Sequence, residues 1–213
     1  MIAIVGRPNV GKSTLLNAMV GTHVSITSNK PQTTRNRVLG VATRPDAQFV
    51  FVDTPGLQHR HRNLLTRRMN AGVSAAIHGV DAIVMVVDAQ GWRDEDDAVL
   101  RLMPRPPAAH GADAGAKDTV GAAPAAALAL GNASPAGAVP AGTFASRVVL
   151  VLSKTDLLRD KAALLPLMAS AAARYPFAAI VPVSASKSWQ LDDLFETLRN
   201  LLPESLPLFE ADE

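Results

Sequence analysis

Gly6-Arg7-Pro8-Asn9-Val10-Gly11-Lys12-Ser13 is the stretch that decides the fold. It keeps the spacing G-x-x-x-x-G-K-[ST], follows an apolar run at residues 2–5 and opens a helical pattern at residues 12–20. Strand, glycine-bearing loop and helix in that order are the context of a phosphate-binding loop. The glycines let successive backbone N–H groups turn inward around an anion. The helix adds the positive end of its dipole. The expected cradle is Asn9, Val10, Gly11, Lys12, Ser13 and Thr14, with Lys12 reaching the β- and γ-phosphates and Ser13 supplying a hydroxyl to Mg²⁺.

Outward from this loop, strand and helix patterns alternate. Val- and Ile-rich runs at residues 2–5, 38–42, 49–53, 82–88, 148–152 and 179–183 read as buried strands. Helical spacing appears at residues 12–20, 64–78, 95–103, 161–174 and 191–202. Alternation of this kind predicts an α/β fold, a mostly parallel six-stranded sheet with helices on both faces. Residues 43–48 leave no room for a crossover helix, so the strands they join must be antiparallel.

The composition of the 213 residues sets limits. With no cysteine, the chain has no disulfide, no Cys-ligated metal and no thiol nucleophile. A net charge of +2 is too small to argue for nucleic acid by itself, and two Trp, one Tyr and six Phe offer few stacking platforms. The start Met1-Ile2-Ala3-Ile4-Val5 has no basic region, so a soluble cytoplasmic protein is expected rather than one with a signal peptide. Residues 104–146 hold 16 Ala, 6 Gly and 6 Pro, too little apolar surface to offset the entropy of ordering. They read as a flexible insertion in a single domain formed by residues 1–103 and 147–202, with 203–213 as a linker remnant.

Two further motifs sit at predicted strand ends. Asp53-Thr54-Pro55-Gly56 follows the run at 49–52. Asp53 there can hold the Mg²⁺ shell, and the Gly56 N–H can approach a γ-phosphate and leave when that group leaves. Ser153-Lys154-Thr155-Asp156 follows the run at 148–152. A carboxylate at Asp156 accepts from guanine N1–H and its 2-amino group together, and adenine has neither donor. The Lys154 stem packs over the rings, and Ser184, Ala185 and Ser186 close the pocket toward O6.

The set GRPNVGKST, PQTTR, DTPG, SKTD and SAS resembles the G domains of Era-type bacterial ribosome-assembly GTPases, within the translation-factor-type superclass. The string is partly shared with double-G-domain assembly GTPases and tRNA-modifying GTPases. The form Pro31-Gln32-Thr33-Thr34-Arg35 is nearer to the Era pattern. The resemblance implies a P-loop NTPase fold and a GTP-hydrolysing switch. It implies Thr34, or failing that Thr33, as a contact to Mg²⁺ and γ-phosphate, and Asn9 as a ligand for K⁺. As partners it implies GTP and GDP, the small ribosomal subunit and its rRNA in the full-length family context but weakly or not at all for this chain alone, and a peripheral association with the inner membrane.

The chain departs from that pattern in three places. Ser153 stands where the family usually has Asn, and a hydroxyl reaches less far toward the phosphate loop. The segment 104–146 is extra, and it enters the strand at 148–152 at the end away from the site. After Leu202 an acidic, proline-marked tail resembles the family's interdomain linker, with no GxxG loop of an RNA-gripping KH domain, which suggests a G-domain fragment. Leu57, after DTPG, has no hydrogen bond to offer an attacking water, so slow hydrolysis is expected. Two other readings stay open: a nucleotide-binding module with little hydrolysis, and the G domain of a related assembly or tRNA-modification GTPase. A small-molecule kinase is disfavoured, because no arginine-rich lid is present.

The remaining charged and aromatic features read as structural. The basic run of His59, Arg60, His61, Arg62, Arg67 and Arg68 reads as a solvated switch, as do Arg35 and Arg37. Trp92 and Trp189 read as peripheral packing. Asp94, Glu95, Asp96 and Asp97 read as acids complementing a helix N-terminus.

Overall fold

The computed structural model describes residues 1–24, 38–54, 76–77, 79–104 and 147–205. Six strands form one sheet among them: β1 (Ile2–Val5), β2 (Val38–Arg44), β3 (Ala47–Asp53), β4 (Ala82–Asp88), β5 (Val148–Ser153) and β6 (Ala179–Pro182). Their order is β2-β3-β1-β4-β5-β6. Every neighbouring pair is parallel except β2 with β3. The described α-helices are α1 (Lys12–Val20), α2 (Asp94–Leu100), α3 (Leu164–Ala172) and α4 (Leu191–Leu201). The α/β fold expected from the alternation is the one observed.

Alternation along β1 sends side chains to two cores. Ile2 and Ile4 face a cluster with Leu15, Leu16 and Met19 of α1 and Leu191, Leu194, Phe195 and Leu198 of α4. Ala3 and Val5 face the other, with Ala98 and Val99 of α2 and Leu164 and Ala171 of α3. All four β1 residues are fully buried, as a central parallel strand requires. Each large side chain so buried contributes about 1.5–3 kcal/mol of hydrophobic stabilisation.

The parallel strands β3, β1, β4 and β5 all run toward the same edge of the sheet, and the sheet order departs in both directions from β1. This is the switch-point geometry that opens a crevice beyond the C-terminal strand ends. The segments leaving β1, β3, β4, β5 and β6 gather there. Arg147, where the chain re-enters β5, lies at the opposite edge, its carbonyl accepting from Ile83 N at 2.8 Å. Of residues 104–146, only Pro104 is among the described ones. Most of the expected helix at 64–78 also lies outside them.

Candidate functional site

Helix α1 begins on Gly11, whose φ of 99° and ψ of 20° are left-handed. No side chain caps this end, and no acidic residue stands in its first turn. The first N–H groups of the helix therefore remain open to an anion. By contrast, α2 carries Asp94, Glu95, Asp96 and Asp97 in its first turn, and Asp96 Oδ2 accepts from Arg93 N at 3.0 Å. Gly6 is fixed by crowding: a Cβ there would lie 2.5 Å from the Val86 carbonyl oxygen, at a φ of 157°. Val10 is buried in the core, and Thr14 is exposed.

Lys12 is buried beneath this loop, with its Nζ donating to the Arg7 carbonyl at 2.9 Å. Burial pulls its pKa down to about 8; Asp53 opposes that shift and Arg7 adds to it. Ser13 Oγ donates to Asp53 Oδ2 at 2.9 Å. Asp53 closes β3 and is fully buried. Beside it the Thr54 hydroxyl donates to the Ile4 carbonyl at 2.7 Å, locking the end of β3 to β1. A serine hydroxyl and a carboxylate side by side are hard oxygen donors. They fit Mg²⁺, which takes one or two such protein ligands and completes its shell with water and phosphate oxygens.

The segment ending β5 is tied to the loop between β1 and α1 by side chains. The Ser153 hydroxyl donates to the Val10 carbonyl at 2.5 Å and also lies 3.1 Å from the Val87 carbonyl. The shorter reach expected of a serine therefore does not prevent the tie, because the strand end itself lies against Val10. Lys154, left-handed at φ 59° and ψ 36°, donates from Nζ to the Asn9 carbonyl at 2.6 Å and to Asp88 Oδ2 at 2.9 Å. Asn9, itself at a φ of 62°, is exposed on the loop.

Asp156 is exposed, and Ser184 Oγ donates to its Oδ1 at 2.6 Å. That bond holds the carboxyl below the ordinary carboxylate range, with further help from Ser186 and Lys187. Ser184 Oγ also lies 3.1 Å from Ser186 Oγ and accepts from Lys187 N at 3.3 Å. Ala185, half-buried, opens the 3-10 turn Ala185–Lys187. The two stretches expected to frame a base are thus brought together by direct hydrogen bonds.

Asn9, Val10, Gly11, Lys12, Ser13, Thr14 and Asp53 are gathered where α1 begins and β3 ends, and Ser153, Lys154, Asp156, Ser184, Ala185 and Ser186 beside them. Thr33, Thr34, Arg35, Arg37, Gly56, Leu57 and the basic run at 59–68 lie outside the described residues. Three participants escaped the sequence reading. Arg7 ion-pairs with buried Asp96 of α2, Thr54 pins β3, and Asp88 holds Lys154. Asp88 carries a signal that could have found it, because it ends an apolar strand as Asp53 does. Asp96 carries none, since in sequence it is one acid among four. Trp92 donates to Asp97 Oδ1 at 2.8 Å beneath the Arg174 guanidinium, and Trp189 lies under Lys161.

The sequence model of a family described as 50S ribosome-binding GTPase matches residues 1–110 of this chain, just over half of it. The chain belongs to that family. It is 41% identical over 211 residues to GTPase Era of Bordetella avium (strain 197N), covering 99% of this chain and 58% of that protein. It is 42% identical over 212 residues to GTPase Era of Xanthomonas axonopodis pv. citri (strain 306), covering 100% of this chain and 58% of that protein. The chain thus spans less than two thirds of the length of these curated relatives. Among solved structures it is similar to Era in complex with MgGDPNP and nucleotides 1506-1542 of 16S ribosomal RNA. That match has a TM-score of 0.76 and 33% identity, and it covers 100% of this chain and 59% of that one. The G domain of the Thermotoga maritima FeoB iron transporter, at 16% identity and a TM-score of 0.53, shares the fold alone.

Proposed function

We propose that this chain is a guanine-nucleotide-binding switch domain of the Era type, which hydrolyses GTP to GDP and phosphate. The observation that carries the reading is the double tie between the two loops, Ser153 to Val10 and Lys154 to Asn9. It sets a carboxylate suited to guanine at a fixed distance from an uncapped helix end suited to phosphate. Adenine, with neither an N1–H nor a 2-amino group, offers that carboxylate neither of the two donors.

In this reading the N–H groups of residues 9–14 bind the phosphates, and Lys12 turns from the Arg7 carbonyl to a phosphate oxygen. Asp156 accepts from the two guanine donors, held in place by Ser184. Ser184, Ala185 and Ser186 close the base pocket. Ser13 and Asp53 hold Mg²⁺, which when bound neutralises charge on the phosphate oxygens. Thr34 and Gly56 complete the γ-phosphate contacts. Leu57 orients no water, so turnover rests on positioning and charge, at roughly 10⁻⁴ to 10⁻² per second by analogy with unassisted GTPases.

The finer assignments belong to the same reading. Asn9 holds K⁺ beside the phosphates, adding positive charge to that of Lys12 and Mg²⁺. Residues 104–146 are an appendage of one domain, 1–103 with 147–202, and the tail from 203 is a linker. The partner is small-subunit rRNA in the full-length family context, held weakly or not at all by this chain alone, with a cytoplasmic location and peripheral contact to the inner membrane. Among the described residues no helix is long and apolar enough to cross a membrane.

The test is phosphate release from GTP and from ATP under multiple turnover, in KCl and in NaCl at equal ionic strength. GTP-selective release that is faster in KCl is expected, with the K⁺ effect lost in Asn9→Ala. Equal use of ATP would sink the base assignment. GTP binding without release would leave the non-hydrolysing module as the reading. Equal rates in both salts would remove K⁺.

A further inference from the structure

Strand β4 is buried along its whole length and ends in a carboxylate, Asp88, that is 4% exposed. A buried carboxylate is costly unless its oxygens are paired. Asp88 Oδ1 accepts from Gln90 N at 3.0 Å, closing a turn, and Oδ2 takes Lys154 Nζ at 2.9 Å. The same ammonium donates to the Asn9 carbonyl at 2.6 Å. One lysine therefore spans the end of β4, the loop after β5 and the phosphate loop. The backbone of the two strands is joined at the same level, Ala89 N donating to the Ser153 carbonyl at 2.9 Å.

Lys154 is a poor candidate for a purely stabilising partner. Its side chain is 34% exposed, and an ion pair that wet contributes little. Its backbone is left-handed, a conformation that a non-glycine residue keeps only where surrounding contacts over-determine it. What the arrangement secures is position. The lysine stem is fixed at its backbone and at its tip, so its methylenes form a set ledge rather than a free arm.

Resting on the guanine-nucleotide reading above, we infer that Asp88 is a positioning residue for the nucleotide base, acting through Lys154. It pins the ammonium so that the stem lies where a planar base can pack on it, beside Asp156. Loss of the pin frees the stem and speeds release of nucleotide, while the phosphate contacts of the loop stay as they are.

The experiment uses the full chain and a fluorescently labelled GDP, and reads the dissociation rate alongside thermal unfolding. Asp88→Asn keeps an acceptor for Gln90 N and turns an amide donor toward Nζ. It is expected to speed release about tenfold, the size of one lost charge-assisted hydrogen bond. Lys154→Met keeps an apolar stem without the ammonium and is expected to do the same. Asp88→Asn added to Lys154→Met is expected to change nothing further, because both act through one contact.

Release at the parental rate in Asp88→Asn overturns the inference, as does a double variant whose effects multiply in full. So does a variant that loses only thermal stability. If Asp88→Asn fails to fold, Asp88→Ser is read in its place, and failure of both to fold makes the residue structural and overturns the role. Absence of labelled GDP binding by the parent chain sinks the guanine reading itself, and is seen before any variant is made.

Discussion

Arg7 and Asp96 form a buried ion pair between the phosphate loop and α2, with Arg7 Nε 3.2 Å from the carboxylate oxygens. Asp96 is fully buried and Arg7 nearly so. Burial pushes the Asp96 carboxyl up, and the guanidinium beside it, with the Arg93 backbone, pulls it back. Asp96 Oδ2 also accepts from Arg93 N at 3.0 Å, so one carboxylate caps its own helix and anchors the loop.

Removing one partner of such a pair leaves the other charge buried alone. Arg7→Met or Asp96→Leu is expected to cost about 3–5 kcal/mol of stability. Arg7→Met combined with Asp96→Leu is expected to recover much of that, since an apolar pair needs no solvation. Denaturant unfolding of the three variants checks this. Equal destabilisation by singles and double would show that the charges themselves hold the fold.

Gly6→Ala is expected to disrupt the loop. The new methyl would lie 2.5 Å from the Val86 carbonyl oxygen and 3.1 Å from Val10 Cγ2, and the obstacle at Val86 is backbone. Since β1 and β4 are paired at this level, neither can move away alone. A loss of roughly 3 kcal/mol, with loss of nucleotide binding, is the expected size for a clash in a packed core. Gly79→Ala serves as control, because a Cβ at Gly79 meets nothing within 4 Å. Nucleotide titration and thermal unfolding of both variants measure it.

These contacts mark what was legible in the sequence. The strands Ile2–Val5 and Ala82–Asp88 are uninterrupted apolar runs closed by a glycine or an acid, and their bounds could be read directly. The hairpin could not be bounded. Thr43 and Gln48 look like turn residues but pair across the ladder, leaving Pro45 and Asp46 as the turn. The helix expected at 161–174 opens as a 3-10 turn capped by Asp160 and becomes α-helical only at Leu164. Pro166 sits in its first turn, where a missing N–H does no harm. Helix α2 ends at Leu100 rather than 103, tightening to 3-10 bonds at Leu102 and Met103 ahead of Pro104. The site's residue types follow from motif spacing. The contacts of Asp88 and Asp96 depend on strands and helices far apart in sequence, and no local pattern carries them.

Lys12 gives the site a pH dependence. Burial, with Arg7 nearby, lowers its pKa to about 8, from 10.5 for a free lysine, despite Asp53. Between these values the unfolded chain binds more protons than the folded one. Stability of the nucleotide-free protein therefore rises with pH across that window, and the penalty for burying the cation is full below pH 8. Nucleotide binding has the opposite sense, because a phosphate needs the charged ammonium. GDP affinity is expected to be highest below pH 8 and to fall above it, with proton uptake on binding near the pKa. Calorimetric titration across that pH range in two buffers of different ionisation enthalpy checks both. A pH-independent affinity would show that Lys12 stays charged throughout.

Asp156 and Ser184 carry the expected base selectivity. The carboxylate offers two acceptors to guanine N1–H and its 2-amino group. Asp156→Asn keeps one acceptor and adds a donor, which suits the O2 of xanthine and opposes the guanine amino group. Preference is expected to move from GDP toward the xanthine diphosphate by at least tenfold, the worth of about 1.4 kcal/mol. Ser184→Ala probes the support. Its hydroxyl donates to Asp156 Oδ1 at 2.6 Å and is the main cause of the lowered carboxyl pKa. A carboxyl held low stays ionised as pH falls, and its contribution is lost only as pH drops through the folded-state value. In Ser184→Ala that loss is expected at higher pH, so GDP binding weakens earlier on acidification, while base preference stays with guanine. Competition of guanine, xanthine and adenine diphosphates against labelled GDP, repeated down the acidic range, measures both effects. Unchanged preference in Asp156→Asn would remove Asp156 from the base site.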